Sequence, residues 1–233
     1  MTKSISEIKI EGRTALVISD VHANLPALTA SLASRRDGEP IICAGDIVGY
    51  YAEPNECCDL IKASGVVTIR GNHDAYVIGA LRPKAENRRK YRTDWTIENL
   101  RPDNLGWLRS LPQTVRIEAK GITITLRHAN PVDEETYLYP DTDLTPYAQE
   151  AGTLLIVGHT HHPMLRIAGA GRILNPGSVG QPRDRNPQAA CARVDLVTGE
   201  VNFLRVEYDV FGYQERLRAM GWPEETIAIL SRV

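Results

Sequence analysis

The stretch TALVISDVHANLPALTASLASRR, residues 14–36, contains the unit from which the fold of this chain can be predicted. Its first six residues form a short apolar run, which is typical of a buried strand. Residues 25–36 place leucines at helical spacing on one side, and Pro26 suits the first turn of a helix. Asp20 is the first residue after the strand. The stretch therefore predicts a βα unit with a polar side chain at the end of its strand.

The same arrangement recurs along the chain. Four further apolar runs cover residues 41–45, 66–71, 122–127 and 154–158. The residues that follow them, Asp46, Asn72, His128 and His159, can all bind a metal. A second helical pattern at 53–64 gives the order β-α-β-α-β over residues 14–70, and hairpin-like turns are frequent after residue 114. These patterns predict an α/β fold in which helices lie outside a mixed set of strands.

The length of 233 residues favours one domain over residues 1–233. Residues 75–112 interrupt the strand pattern, are rich in arginine, and predict an insertion of short helices. Two interpretations of this insertion are open. It is either a solvated surface element that covers a sheet edge, or a cap over the active site whose positive charge attracts an anionic substrate.

Composition narrows the classes of function. The formal net charge of −2 gives no indication of a stable complex with nucleic acid. No apolar stretch reaches the roughly 20 residues of a membrane helix, and the polar N-terminal region lacks the pattern of a signal peptide. Four cysteines have spacings of neither a disulfide framework nor a thiolate zinc site, so we expect free thiols and a cytoplasmic location. They are Cys43, Cys57, Cys58 and Cys191.

The six histidines lie beside these strand ends or directly after them. Because sites in parallel-rich α/β sheets lie at the carboxyl ends of strands, we expect the side chains there to converge in one crevice. Asp20 and His22 are two residues apart, so an extended segment would place both on one face, as with His159 and His161. His162 would then face away and have a structural role.

One metal ion needs only three or four ligands, and the chain offers seven candidates. They are Asp20, His22, Asp46, Asn72, His128, His159 and His161. This excess favours two ions that share a bridging carboxylate, with a separation of roughly 3.5–4 Å. Asp46, from the motif GDIVG, is the best candidate for the bridge. Imidazole, carboxylate and amide ligands suit manganese, iron, zinc or nickel.

Five motifs in order resemble those of the calcineurin-like metallophosphoesterases. They are DVH (20–22), GDIVG (45–49), GNHD (71–74), the lone His128 and GHTH (158–161). The phrases GDIVGYYAEPNE, RGNHDAYV and NPGSVGQPR are further similar to the small bacterial and archaeal phosphodiesterase branch, which is related to diadenosine tetraphosphatase. The resemblance implies a four-layer α/β/β/α sandwich of two mixed sheets flanked by helices, with a dinuclear centre.

The resemblance also implies roles for individual residues. One ion would take Asp20, His22, Asp46 and His161, and the other would take Asp46, Asn72, His128 and His159. His73 is implied as the catalytic histidine. Ala23 and Ala129 stand where many relatives have glycine, which puts the shape of those turns in doubt, because alanine restricts backbone angles that glycine allows.

The resemblance implies a metal-dependent hydrolase for a phosphodiester or phosphoanhydride, on a small phosphorylated, nucleotide-like substrate. Two divalent ions would activate a hydroxide that attacks phosphorus. His73 would protonate the leaving group or stabilise the transition state. The alternatives are a phosphomonoesterase or protein phosphatase on the same centre, and a non-catalytic scaffold. The sequence does not predict the oligomeric state.

Three further side chains each have two interpretations. Asp74 either accepts a hydrogen bond from His73 and fixes its tautomer or caps a helix. Asn24 either reaches the substrate or caps the helix that begins at residue 25. Arg183, or Arg185 beside it, either binds substrate phosphate or belongs to an ordinary turn within residues 175–185.

Overall fold

The apolar runs form the strands of two mixed β-sheets in the computed structural model, which describes residues 6–232. In chain order the strands are β1 (Ser6–Lys9), β2 (Thr14–Ile18), β3 (Ile41–Cys43), β4 (Val67–Thr68), β5 (Val115–Glu118), β6 (Thr123–Leu126), β7 (Thr153–Ile156), β8 (Met164–Ala168), β9 (Gly171–Asn175), β10 (Ala189–Asp195) and β11 (Val201–Val206). The helices are α1 (Leu25–Ala33), α2 (Pro54–Ala63), α3 (Asn72–Val77), α4 (Ala85–Arg88), α5 (Thr93–Asn99), α6 (Pro102–Ser110), α7 (Val210–Ala219) and α8 (Glu224–Ile227). Two 3-10 turns lie at Thr145–Tyr147 and Ala228–Ser231.

Each sheet contains a run of three adjacent parallel strands. The five-stranded sheet has the order β11-β10-β2-β3-β4, in which β2, β3 and β4 are parallel. The six-stranded sheet has the order β1-β5-β6-β7-β9-β8, in which β6, β7 and β9 are parallel. The candidate ligands therefore follow parallel strands of both sheets, at their carboxyl ends.

Successive side chains of β2 point to opposite faces of the five-stranded sheet, which shows how the layers form. Leu16 and Ile18 face a buried cluster with helices α1, α2 and α6, whereas Ala15 and Val17 belong to the cluster between the two sheets. The outer face of the six-stranded sheet is covered by residues 130–149, which contain the first 3-10 turn. The predicted two-sheet sandwich is confirmed, and a largely irregular segment forms much of its last layer.

Two features add to the predicted fold. Strand β1 was not predicted, because its residues are polar; it is an edge strand that pairs with β5 and is largely exposed. The insertion at 75–112 is helical as predicted, and it has two parts. Leu108 of α6 packs into the core beside the five-stranded sheet, whereas Tyr91 lies beside the candidate site. The single domain over residues 1–233 stays a prediction.

The cysteines are buried free thiols, as the sequence predicted. Burial raises the pKa of the Cys43 thiol to about 12, which keeps that thiol protonated and unreactive. Within residues 6–232, no helix combines the length and the apolar character needed to cross a membrane.

Candidate metal centre

The turns that follow β2, β3 and β7 hold their site residues in left-handed backbone conformations. The φ angles are 54° at Asp20, 50° at His22, 56° at Asp46, 69° at His159 and 62° at His161. The predicted extended segments at residues 20–22 and 159–161 are therefore wrong. Each such residue costs of order 1–3 kcal/mol and persists only where its surroundings fix it. The left-handed turns bring the side chains together although the backbone is not extended.

Hydrogen bonds between neighbouring turns hold these residues in their left-handed conformations. The backbone N–H of Asp20 donates to the carbonyl of Gly45 at 3.0 Å, and the N–H of His22 donates to the carbonyl of Asp46 at 3.0 Å. The N–H of His159, from the other sheet, donates to the carboxylate of Asp20 at 3.1 Å. Ala23 also has a left-handed φ of 55°, a conformation that glycine adopts more readily than alanine.

Gly71 allows two of these turns to approach closely. A Cβ atom at this position would overlap Oδ1 of Asp46 and lie 2.6 Å from the backbone nitrogen of Asp46. Only a residue without a side chain fits there. The glycine in the GNHD motif is therefore explained by packing against Asp46.

Asp20, His22 and His161 form the first group of donors. The Nδ1 atoms of His22 and His161 face the carbonyls of Val48 and Gln181 at 3.4 and 2.6 Å, so they carry the protons. Both Nε2 atoms then present lone pairs, 3.0 Å apart. Oδ1 of Asp20 lies 3.3 Å from Nε2 of His161. Three electron-pair donors without a proton between them are the arrangement that a cation stabilises.

Asp46, Asn72 and His128 form the core of a second group. Nδ1 of His128 donates to the carbonyl of Ala44 at 2.7 Å. Its Nε2 lies 3.1 Å from Oδ1 of Asn72 and 3.1 Å from Oδ2 of Asp46. Two acceptors at one nitrogen require either a proton or a cation there.

His159 completes the second group in the opposite orientation. Its Nε2 contacts the backbone carbonyl of Glu135 at 2.9 Å, so Nδ1 is the nitrogen with a free lone pair. The ring of Tyr137 stacks on the imidazole with the centroids 3.9 Å apart. The loop at residues 130–137 therefore fixes both the tautomer and the plane of this histidine.

Burial sets the protonation of most of these groups. Burial lowers the pKa of His22 and His161 below the ordinary value, and it lowers the pKa of His159 to about 3. Burial would also lower the pKa of His128, but the Asp46 carboxylate outweighs it and raises the pKa to about 10. Burial would raise the pKa of Asp20, but the histidines around it, His161 first, hold the pKa well below its usual range. Neutral imidazoles and ionised carboxylates are the forms that bind metal.

The donor set fits a pair of divalent cations. Three groups of side chains bring possible ligand atoms within 4.8 Å of one another, and Asp46 belongs to two of them. These groups are Asp20–His22–His161, Asp46–His128–His159 and His22–Asp46–His73. The structure thus brings all seven predicted ligands together, with Asn72 joined through His128, and gives Asp46 the central position.

His73 lies against the centre, and its ring has no hydrogen-bond partner within residues 6–232. Its backbone N–H donates to Oδ1 of Asp46 at 2.8 Å. The imidazole packs against four other rings, with centroid distances of 4.8 Å to His22, 4.9 Å to Tyr50, 4.4 Å to Tyr91 and 5.5 Å to Tyr76. The imidazole of His73 also forms a donor group with His22 and Asp46.

The capping interpretation of Asp74 is the one that the structure bears out. Its carboxylate accepts hydrogen bonds from the backbone N–H groups of Ile47, Val48 and Gly71 at 2.9 to 3.1 Å. No hydrogen bond joins it to His73 among the described residues. The predicted catalytic role of Asp74, fixing the tautomer of His73, is therefore corrected: Asp74 holds the Asp46 turn against the start of α3.

Asn24 requires a similar correction. Its Oδ1 accepts from the N–H of Ala27 and caps α1. Its amide nitrogen donates to the carbonyl of Gly180 at 2.9 Å and to the hydroxyl of Tyr208 at 3.2 Å. The side chain is fully buried with its donors and acceptor occupied, so it is not available to a substrate.

Arg183 lies beside the donor groups, whereas His162 lies outside them. The guanidinium of Arg183 donates to the hydroxyl of Tyr50 at 3.2 Å, and its backbone N–H donates to the carbonyl of His161 at 3.4 Å. A cation therefore stands beside the first donor group. The half-buried His162 instead packs edge-on against Tyr139 and lies outside the three donor groups.

Sequence reasoning missed the tyrosines around the centre. Tyr50, Tyr91 and Tyr137 contact its histidines, and Tyr76 donates its hydroxyl to the Glu135 carboxylate at 2.8 Å. Tyr50 directly follows GDIVG, which was a usable signal. The others lie in segments whose approach to the centre depends on the fold.

Comparison with known proteins gives one consistent family. Residues 14–199 match the model of the calcineurin-like phosphoesterase superfamily domain. An uncharacterised protein of Methanocaldococcus jannaschii is 37% identical over 89% of this chain and 93% of its own length. The crystal structure of a metallophosphoesterase from Sphaerobacter thermophilus superposes with a TM-score of 0.78 at 32% identity, covering 95% of this chain and 99% of that one. A hypothetical protein from Pyrococcus horikoshii gives a TM-score of 0.80 at 26% identity, covering 94% and 98%.

Proposed function

Because this chain belongs to the calcineurin-like phosphoesterase superfamily, we propose that it hydrolyses a phosphodiester or phosphoanhydride of nucleotide type with two divalent transition-metal ions. Membership supports a phosphoester hydrolase; the bond, the substrate and the pair of ions are the proposal. Manganese, iron, zinc and nickel are the candidate metals, because the ligands are imidazole, carboxylate and amide.

The observation that carries this proposal is the pair of facing imidazoles. Nε2 of His22 and Nε2 of His161 lie 3.0 Å apart with both protons directed to carbonyls on their far sides. Oδ2 of Asp46 lies 3.8 Å from Nε2 of His22 and 3.1 Å from Nε2 of His128. One carboxylate thus reaches both donor groups, as a bridge between two cations must.

Bound divalent cations would lower the pKa of a coordinated water and stabilise charge on phosphoryl oxygens. The remaining functions belong to side chains of this chain. The imidazole of His73 would protonate the leaving group or donate a hydrogen bond to it in the transition state. The guanidinium of Arg183 would pair with a phosphoryl oxygen beside the first donor group. Asp74 keeps the Asp46 turn in place.

A substrate panel tests the type of bond. We expect the manganese-loaded protein to hydrolyse bis(p-nitrophenyl) phosphate and a dinucleoside polyphosphate with higher kcat/KM than p-nitrophenyl phosphate. The reverse order would establish a monoesterase. Metal content without turnover of any of the three compounds would establish a binding scaffold.

The variant His73→Ala tests the division between ligand and catalytic residue. We expect kcat for the diester to fall by about 10²–10⁴-fold, which is the usual contribution of a positioned acid or base. Metal content, measured by mass spectrometry, should remain that of the wild type. Loss of metal from this variant would show that His73 is a ligand.

A further inference from the structure

Four side chains lie beside the metal centre; we define Tyr50, Tyr91, Tyr137 and Arg183 as the rim. Tyr91 lies one ring beyond His73, with the centroids 4.4 Å apart, and packs on Tyr50 at 5.2 Å. Tyr137 lies one ring beyond His159 at 3.9 Å. The rim therefore contacts both the His73 side and the His159 side of the centre.

The buried and the accessible parts of the rim differ. Tyr50 is only 1% exposed, and its hydroxyl accepts a hydrogen bond from the Arg183 guanidinium. Tyr91, Tyr137 and Arg183 are half-buried. Among residues 6–232, the hydroxyls of Tyr91 and Tyr137 have no hydrogen-bond partner. Tyr137 stacks on both His159 and Tyr139, and the Arg183 guanidinium also donates to Oε1 of Gln181 at 2.8 Å. The exposed parts of Tyr91, Tyr137 and Arg183 lie beside the centre.

Two contacts of Glu135 hold the loop that carries Tyr137. The backbone carbonyl of Glu135 contacts Nε2 of His159 at 2.9 Å, and the carboxylate of Glu135 accepts from the hydroxyl of Tyr76 at 2.8 Å. Tyr76 itself is stacked parallel to Tyr91, with an interplanar angle of 6°. The loop carrying Tyr137 is thereby tied to the helix carrying His73, across the centre.

Burial raises the pKa of Tyr137 to about 12, and the Arg183 cation opposes this rise. Arg183 likewise opposes the rise that burial causes in the pKa of Tyr91. Both phenols therefore stay neutral at physiological pH and lie within the electrostatic reach of one guanidinium. Neutral aromatic faces beside a cation suit a ligand that joins an aromatic ring to an anion.

We propose that the rim is a nucleoside subsite, in which Tyr91 and Tyr137 contact the base and Arg183 pairs with the phosphate. This inference deepens the proposed function and rests on it for the position of the phosphate. It assigns the substrate class to phosphodiesters or phosphoanhydrides with at least one nucleoside, because an alkyl phosphate has no base that could contact the two tyrosines.

Calorimetric binding of two product-like probes to the manganese-loaded protein tests the subsite. We expect adenosine monophosphate to bind with a Kd at least about 10-fold lower than methyl phosphate, since stacking on an aromatic side chain is worth that factor or more. Tyr91→Leu and Tyr137→Leu should each reduce this ratio toward one. Tyr91→Phe and Tyr137→Phe keep the ring and should keep the ratio.

Equal Kd values for the two probes in the wild type would overturn the nucleoside subsite. An unchanged ratio in both leucine variants would also overturn it. Because the experiment measures binding, it separates this inference from the proposed hydrolysis. A protein that prefers the nucleotide but hydrolyses no ester would refute the function and retain the subsite.

Discussion

The metal centre and the rim lie in contact, yet they are built differently. The seven candidate ligands are at most 5% exposed, and the ring nitrogens on the outer sides of the four histidines among them are fixed by backbone carbonyls. Of the rim, only Tyr50 is buried; the other three side chains are half-exposed. The centre depends on backbone conformation, whereas the rim depends on contacts between side chains from separate loops.

Because of this difference, we expect the centre to determine metal binding and turnover, and the rim to determine which ligand binds. Any change in the left-handed turns moves ligands of both groups, because the turns are hydrogen-bonded to one another. A change in Tyr91 or Tyr137 leaves those backbone bonds intact. We therefore expect substitutions in the centre to affect metal and turnover together, and substitutions in the rim to affect the choice of ligand.

The largest effect is expected from His161→Ala. The substitution removes one of the two facing imidazoles. Mutation of a residue that only orients a metal ligand through a hydrogen bond already costs about 10–100-fold in metal affinity or activity. We therefore expect the loss of a ligand to lower turnover by at least ~100-fold. Metal content should fall below the proposed two ions per chain. Turnover of bis(p-nitrophenyl) phosphate and mass spectrometry measure both.

His162→Ala is the matched control, because this neighbouring histidine contacts Tyr139 and not the donor groups. It should keep metal content and turnover within about twofold, as expected for a residue outside the site. Equal damage from both substitutions would mean that the segment as a whole, and not the ligand nitrogen, is what the centre requires.

Gly71→Ala should damage the centre through backbone packing alone. The added Cβ would overlap Asp46, and overpacking of this kind costs typically 1–3 kcal/mol. We expect a lower free energy of unfolding in a denaturant titration together with reduced metal content, because Asp46 is the proposed bridge.

Gly106→Ala provides the comparison outside the centre. Gly106 is exposed in α6, and a Cβ there would meet no atom within 4 Å. Alanine should stabilise the helix by about 0.5–1 kcal/mol with unchanged metal content. If Gly71→Ala behaved like Gly106→Ala, the close approach of the two turns would not be a requirement of the centre.

The same difference decides what the sequence could predict. Strands β2, β3, β6 and β7 are short apolar runs, and a candidate metal ligand follows each one, so the layers and the convergence of these side chains could be predicted. The left-handed φ angles at Asp20 and His161 could not, because they arise from hydrogen bonds between turns that are distant in sequence.

The rim could not be predicted for a related reason. Tyr91 and Tyr137 lie in segments with no strand-end pattern, and only the folded loops bring both of them to the centre. Asn24 and Asp74 show the intermediate case. Their two interpretations could be stated from the sequence, but the choice required the observed backbone partners. Local patterns therefore predict ligands, whereas tertiary contacts decide which other polar groups remain available.

The smallest effect is expected from Tyr76→Phe, which removes the hydrogen bond from Tyr76 to Glu135. A hydrogen bond of this kind contributes about 0.5–1.5 kcal/mol net, so the Kd of adenosine monophosphate should rise by about fivefold. The Kd of methyl phosphate should change less, because this hydrogen bond holds the loop that carries Tyr137 rather than the phosphate. Tyr139→Phe is the control, since Tyr139 stacks on Tyr137 through a ring that phenylalanine retains. Loss of metal from Tyr76→Phe would contradict the division, because Tyr76 would then support the centre and the rim alike.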